Sequence, residues 1–63
     1  MDPEEEFIQN ATTMLHYART ELKQFLAWTN PNTAHGQQAT TMIAQLDQLS
    51  AGMKKLLQTY KDR

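Results

Sequence analysis

Phe25-Leu26-Ala27-Trp28-Thr29-Asn30-Pro31-Asn32-Thr33-Ala34-His35-Gly36 is the stretch on which the fold turns. A proline at 31 disfavours helical backbone at Asn30, yet proline is at home in the first turn of a helix, with Asn30 placed to cap it. The chain therefore reverses here through a tight connection. Gly36 leaves open a second possibility, that the next helix begins only after a looser loop. The expected layout is one domain over 1–63: helix 3–29, turn 30–33, helix 34–61.

Toward the N-terminus, Ile8, Ala11, Leu15, Ala18, Leu22, Phe25 and Thr29 recur at alternating spacings of three and four, with Phe7, Met14 and Trp28 thickening one edge. That period belongs to an amphipathic helix. Its start is equally legible: Asp2 is a capping residue, Pro3 suits the first helical position, and Glu5 stands where a capping-box acid would reach back. Glu4, Glu5 and Glu6 meet the positive end of the helix dipole. Toward the C-terminus, Ala39, Met42, Leu46, Leu49, Met53, Leu56 and Tyr60 repeat the spacing, flanked by Ile43 and Leu57, while Gln38, Gln45, Gln48 and Lys55 lie to the other side. The isolated Gly52 costs about 1 kcal/mol relative to alanine and is a tolerated weak spot or a close backbone approach rather than a hinge.

Folding back at Asn30-Pro31 opposes residues whose numbers sum to about 61. Leu22 then meets Ala39, Ala18 meets Met42, Leu15 meets Leu46 and Ala11 meets Leu49, setting small against large in three of the four crossings. The same register lays the acidic first turn beside Lys54, Lys55 and Lys61. The fold class is thus all-α, a two-helix antiparallel hairpin.

Each apolar stripe is roughly 100° wide, more than a two-helix seam consumes. Burying a large side chain is worth about 1.5–3 kcal/mol, whereas ordering each residue costs about 1.5 kcal/mol, so a hairpin of this length gains from a second helical layer. The expected form is a homodimer closing into a four-helix bundle; another helical protein would serve the same need. The residues expected to meet the partner are Phe7, Met14, Phe25, Trp28, Ile43 and Leu57. From Gln24 through Leu46 there is no Asp, Glu, Lys or Arg. This turn end is either a solvated Gln/Thr/Asn tip or, through Phe25 and Trp28, a docking point.

Composition narrows the function further. The 63 residues carry six Lys and Arg against seven Asp and Glu, a net charge of -1, which offers no long-range attraction to nucleic acid. No cysteine is present, excluding disulfides, thiolate metal sites and a cysteine nucleophile. An apolar run of only four residues, Phe25 to Trp28, implies no membrane span, and the acidic start is unlike a secretion signal, so the expected address is cytoplasmic.

Groups that could carry chemistry are dispersed. His16 and His35 lack the partner spacings of helical metal sites, so no metal is expected. Ser50 has no histidine within reach, and Glu21 and Asp47 stand singly on the outside. The expectation is a non-enzymatic protein with no cofactor and no small-molecule substrate. Tyr17 points outward, Tyr60 continues the seam, and of the four methionines Met14, Met42 and Met53 fit the stripes while Met1 does not. Lys54-Lys55 with Lys61 and Arg63 form a small basic end suited to the dipole.

Thr13-Met14-Leu15 followed by Ala18, Leu22, Phe25 and Thr29, an Asn/Pro turn, then Gln37, Gln38, Gln45, Gln48 and Tyr60-Lys61, resembles a family of very short proteins of endospore-forming bacteria, catalogued as a domain of unknown function. The likeness runs from Ile8 onward; Glu4-Glu5-Glu6 and the absence of an acidic, proline-containing end depart from it. It implies a protein of the sporulating cell and no catalytic residue. In architecture alone, the hairpin is similar to the small co-chaperones of type III secretion needle subunits. That similarity implies an alternative role as a chaperone or adaptor for a helical client.

Overall fold

The computed structural model describes residues 2–62; Met1 and Arg63, the latter counted above with the basic end, lie outside them. Two helices make up the chain, α1 over Pro3–Trp28 and α2 over Ala34–Lys61, packed antiparallel into a hairpin. The first helix starts as its sequence requires. Asp2 Oδ1 accepts from the Glu4 backbone N–H at 3.0 Å and Pro3 occupies the first helical position. Glu5, expected to close a capping box, instead reaches across to Lys61 Nζ at 3.3 Å. The other helix lies close enough here for a charged partner to compete with the local backbone donor.

The connection is where the sequence reading needs correction. Asn30 is not the cap of α2; that role falls to Thr33, whose Oγ1 accepts from the Gly36 N–H at 3.1 Å. Asn30 works one step earlier. Its side chain accepts from the Asn32 N–H at 2.9 Å, and its carbonyl accepts from both the Thr33 N–H at 3.0 Å and the Thr33 hydroxyl at 2.7 Å. Pro31 thus sits inside a small hydrogen-bonded loop before the helix rather than in its first turn. The connection is the short one all the same: α2 begins at Ala34, two residues before Gly36, and an Asx-type turn at Asn30 closes the loop.

The seam keeps Ile8, Leu15, Leu22, Thr29, Ala39, Leu46, Met53 and Tyr60 of the expected stripes and replaces the residues between them by their C-terminal neighbours. Residues that are half-buried or buried in α2 are Gly36, Ala39, Ile43, Leu46, Ser50, Met53, Leu57 and Tyr60, an unbroken alternation of three and four. In α1 and its C-cap Thr29 the matching set is Glu5, Ile8, Thr12, Leu15, Arg19, Leu22, Leu26 and Thr29, with Gln9 alongside. These two rows pair in order along the hairpin if facing numbers sum to about 65, rather than 61, and two observed ion pairs, Arg19 with Asp47 and Lys61 with Glu5, agree with that register. Leu15 therefore lies level with Ser50, not Leu46, and Leu22 with Ile43, not Ala39.

Gly36 sets this register. A Cβ at that position would lie 2.4 Å from the Asn30 carbonyl oxygen and 2.7 Å from Pro31 Cα, so only glycine lets α2 press against the loop. Ala39, one turn on, is the other buried residue, at 3% exposure. Small residues close the turn end, and Met53, Leu57 and Tyr60 fill the seam toward the termini, where the Tyr60 hydroxyl donates to the Asp2 carboxylate. Threonines sit on or beside the seam at little cost because their hydroxyls bond backbone carbonyls of their own helix, as Thr12 does to Ile8 at 3.0 Å and Thr40 to Gly36 at 3.0 Å.

Candidate interaction face

With the seam placed, the residue preceding each seam position falls on one broad side of the hairpin in both helices. Two antiparallel right-handed helices rotate so that their i−1 positions look the same way. On α1 that row is Glu4, Phe7, Ala11, Met14, Ala18, Glu21, Phe25 and Trp28. On α2 it is His35, Gln38, Met42, Gln45, Leu49, Gly52, Leu56 and Thr59. The surface grooves confirm that the rows share a side: one is lined by Ala18, Glu21 and Leu22 with Met42, Gln45 and Leu49, the next by Phe25 with His35, Gln38 and Met42.

Seven large apolar side chains on this side are exposed: Phe7, Met14, Phe25 and Trp28 of α1, and Met42, Leu49 and Leu56 of α2. Trp28 is 90% exposed and Phe7 and Met14 70% each, values at which burial has hardly begun. The opposite side carries Thr13, His16, Thr20 and Lys23 on α1 and Thr40, Asp47, Lys54 and Lys61 on α2. Across it runs the fork of Arg19, Nε to Asp47 Oδ1 at 2.6 Å and Nη2 to Oδ2 at 3.5 Å, with the Lys61–Glu5 pair as a second cross-helix bridge near the termini. Tyr17, the remaining large exposed apolar residue, is on that polar flank beside Thr13, His16 and Thr20.

Of the six residues expected to meet a partner, Phe7, Met14, Phe25 and Trp28 stand together on the apolar side. Ile43 and Leu57 do not: they turn into the seam and are half-buried there. Met42, Leu49 and Leu56, placed by the sequence at the centre of the second stripe, are the residues α2 offers outward. Gln38 and Gln45, expected to face away, join them. The signal was available in the row 36, 39, 43, 46, 50, 53, 57, 60, whose three-and-four alternation is as regular as the one chosen. Gly36 and Ser50 make it the less apolar of the two on sequence alone.

Other titratable groups are scattered across the surface. His16 lies on the polar side and His35 at the turn end, Ser50 is held in the seam level with Leu15, and no cluster of three His, Cys, Asp or Glu suited to a metal occurs among the described residues. No helix among them is long and apolar enough to cross a membrane.

The arrangement defines a class: an elongated all-α hairpin with one apolar and one polar side. No family model matches the chain, and neither a curated protein nor a solved structure matches it significantly.

Proposed function

We propose that this chain is a non-enzymatic interaction module that self-associates through its apolar side, two hairpins closing into a four-helix bundle. One observation carries the reading. The accessible surface is 4998 Å², against about 4,200 Å² for a compact monomer of this mass. The excess is on the order of the ~800 Å² that each partner contributes to a stable interface. Shape agrees with it: the radius of gyration is 14.5 Å where a globular chain of this length has about 11 Å. Among the described residues only Gly36 and Ala39 are buried, so no large apolar side chain is more than partly withdrawn from water.

Sedimentation equilibrium at micromolar concentration tests this. The expected mass is twice the 7.3 kDa of the chain. Leu49→Glu, which puts a charge at the middle of the apolar side, is expected to return the monomer mass with helicity largely kept. A wild-type monomer with a sharp thermal transition would refute self-association.

Trp28 favours a second reading. An indole 90% exposed within an uncharged stretch at the turn end of the hairpin is a suitable anchor for a helical client, as expected of a chaperone or adaptor. Under that reading Trp28→Ala abolishes client capture while helicity and self-association persist. A cytoplasmic location fits a chain with no cysteine and a non-spanning pair of helices. A role in the sporulating cell rests on the resemblance of the two helices to the spore-former family, and a fluorescent fusion followed through sporulation checks it.

A further inference from the structure

Reversing the apolar side end for end sets aromatic against aromatic at Phe7 and Phe25 and small against larger side chains at the positions between. About the middle of α1, Phe7 mirrors Phe25, Ala11 mirrors Glu21 and Met14 mirrors Ala18; about Leu49, Met42 mirrors Leu56 and Gln45 mirrors Gly52. In the observed register Leu49 is level with that same midpoint of α1, so both mirrors share one plane across the molecule. We propose that the occupant of this side is a second copy of the chain, laid end for end, with its two-fold axis crossing the long axis at Leu49. This rests on the self-association proposed above and adds the orientation.

Packing separates the end-for-end dimer from the alternative in which both turns lie at the same end. In the end-for-end dimer each helix stacks on its own copy. Phe7 is level with the partner's Phe25 and Met42 with the partner's Leu56. The gap left by Ala11 and Gly52 is covered by the partner's longer Glu21 and Gln45. In the alternative, both copies place Ala11 and Gly52 in one layer, leaving a void, and both place Glu21 in another, setting two carboxylates in one interior layer. Neither defect arises when one hairpin is reversed. Area is sufficient as well, since full overlap engages a side of 45 × 17 Å, close to the ~800 Å² per partner of a stable interface.

A spin label at Asn32→Cys, on the exposed loop and off the apolar side, reads the orientation by pulsed dipolar spectroscopy on the full chain. The expected distance is about the 45 Å length of the hairpin. Two turns at the same end, in layers 8–10 Å apart, would give roughly 20 Å and overturn the orientation while leaving self-association standing. No dipolar coupling, with a monomer mass, would overturn both. Two substitutions supply an independent readout. Ala11→Lys, level with the partner's Glu21, is expected to keep the dissociation constant within about threefold, while Ala11→Glu weakens it about tenfold or more. Equal weakening by both would refute the end-for-end arrangement.

Discussion

Gly36 and Gly52 carry the same missing side chain into opposite surroundings. At Gly36 a Cβ would collide with the Asn30 carbonyl at 2.4 Å and with Pro31, backbone atoms that cannot step aside. Gly36→Ala is therefore expected to cost about 1–3 kcal/mol, as overpacking does, and to lower the melting temperature. At Gly52 nothing lies within 4 Å. Gly52→Ala is expected to stabilise α2 by about 1 kcal/mol, measured by urea denaturation at a concentration where the chain is monomeric. Thr33 caps α2 and also ties it to the loop, its hydroxyl donating to the Asn30 carbonyl at 2.7 Å. Thr33→Ala removes the acceptor for the Gly36 N–H and should cost about 1 kcal/mol, with Thr33→Asp keeping most of the stability.

At the scale of the elements, the relation between α1 and α2 is set by an apolar row and a turn rather than by charge. The Arg19–Asp47 bridge is bidentate, but its side chains are 35% and 52% exposed, so a double-mutant cycle should return less than about 1 kcal/mol of coupling. Register has a sharper test. Leu15→Cys paired with Ser50→Cys should oxidise readily, whereas Leu15→Cys with Leu46→Cys, about one helical turn out of level, should remain reduced. The same comparison explains what could be seen beforehand. Helix existence and approximate ends were legible because Asp2-Pro3, Pro31 and two long periodic runs act locally. The seam was legible only at every second position, such as Leu15, Leu22, Leu46 and Met53, because at the positions between them neighbouring residues compete for the same face. Choosing between Ile43 and Met42, or Leu57 and Leu56, needs the rotation of α2 about its axis, and the contact of Gly36 with the Asn30-Pro31 backbone imposes that rotation.

For the whole molecule, the exposed large apolar side chains are concentrated on one side, Tyr17 excepted. That side has few charged side chains, Glu4 and Glu21 among the sixteen positions of its two rows. Association driven by burying it should respond weakly to ionic strength: raising salt from about 50 to 500 mM is expected to change the dimer dissociation constant by less than about threefold. Analytical ultracentrifugation across a salt series checks this, and a steep loss of affinity would point to an electrostatic interface elsewhere. Four of the six partner-facing residues anticipated from the stripe are on this side, and the three it lacked are one residue back along α2 from seam positions.

By itself the sequence determined two amphipathic helices, their capped start, a break at mid-chain and an apolar stripe too wide for one seam, since each depends on neighbours within a turn or two of helix. Only the tertiary structure decided which row of each stripe is spent between the helices and which is left facing out. That choice depends on how closely Gly36 lets two distant parts of the backbone approach. A clash or its absence between residues that meet only after folding is written in no local pattern.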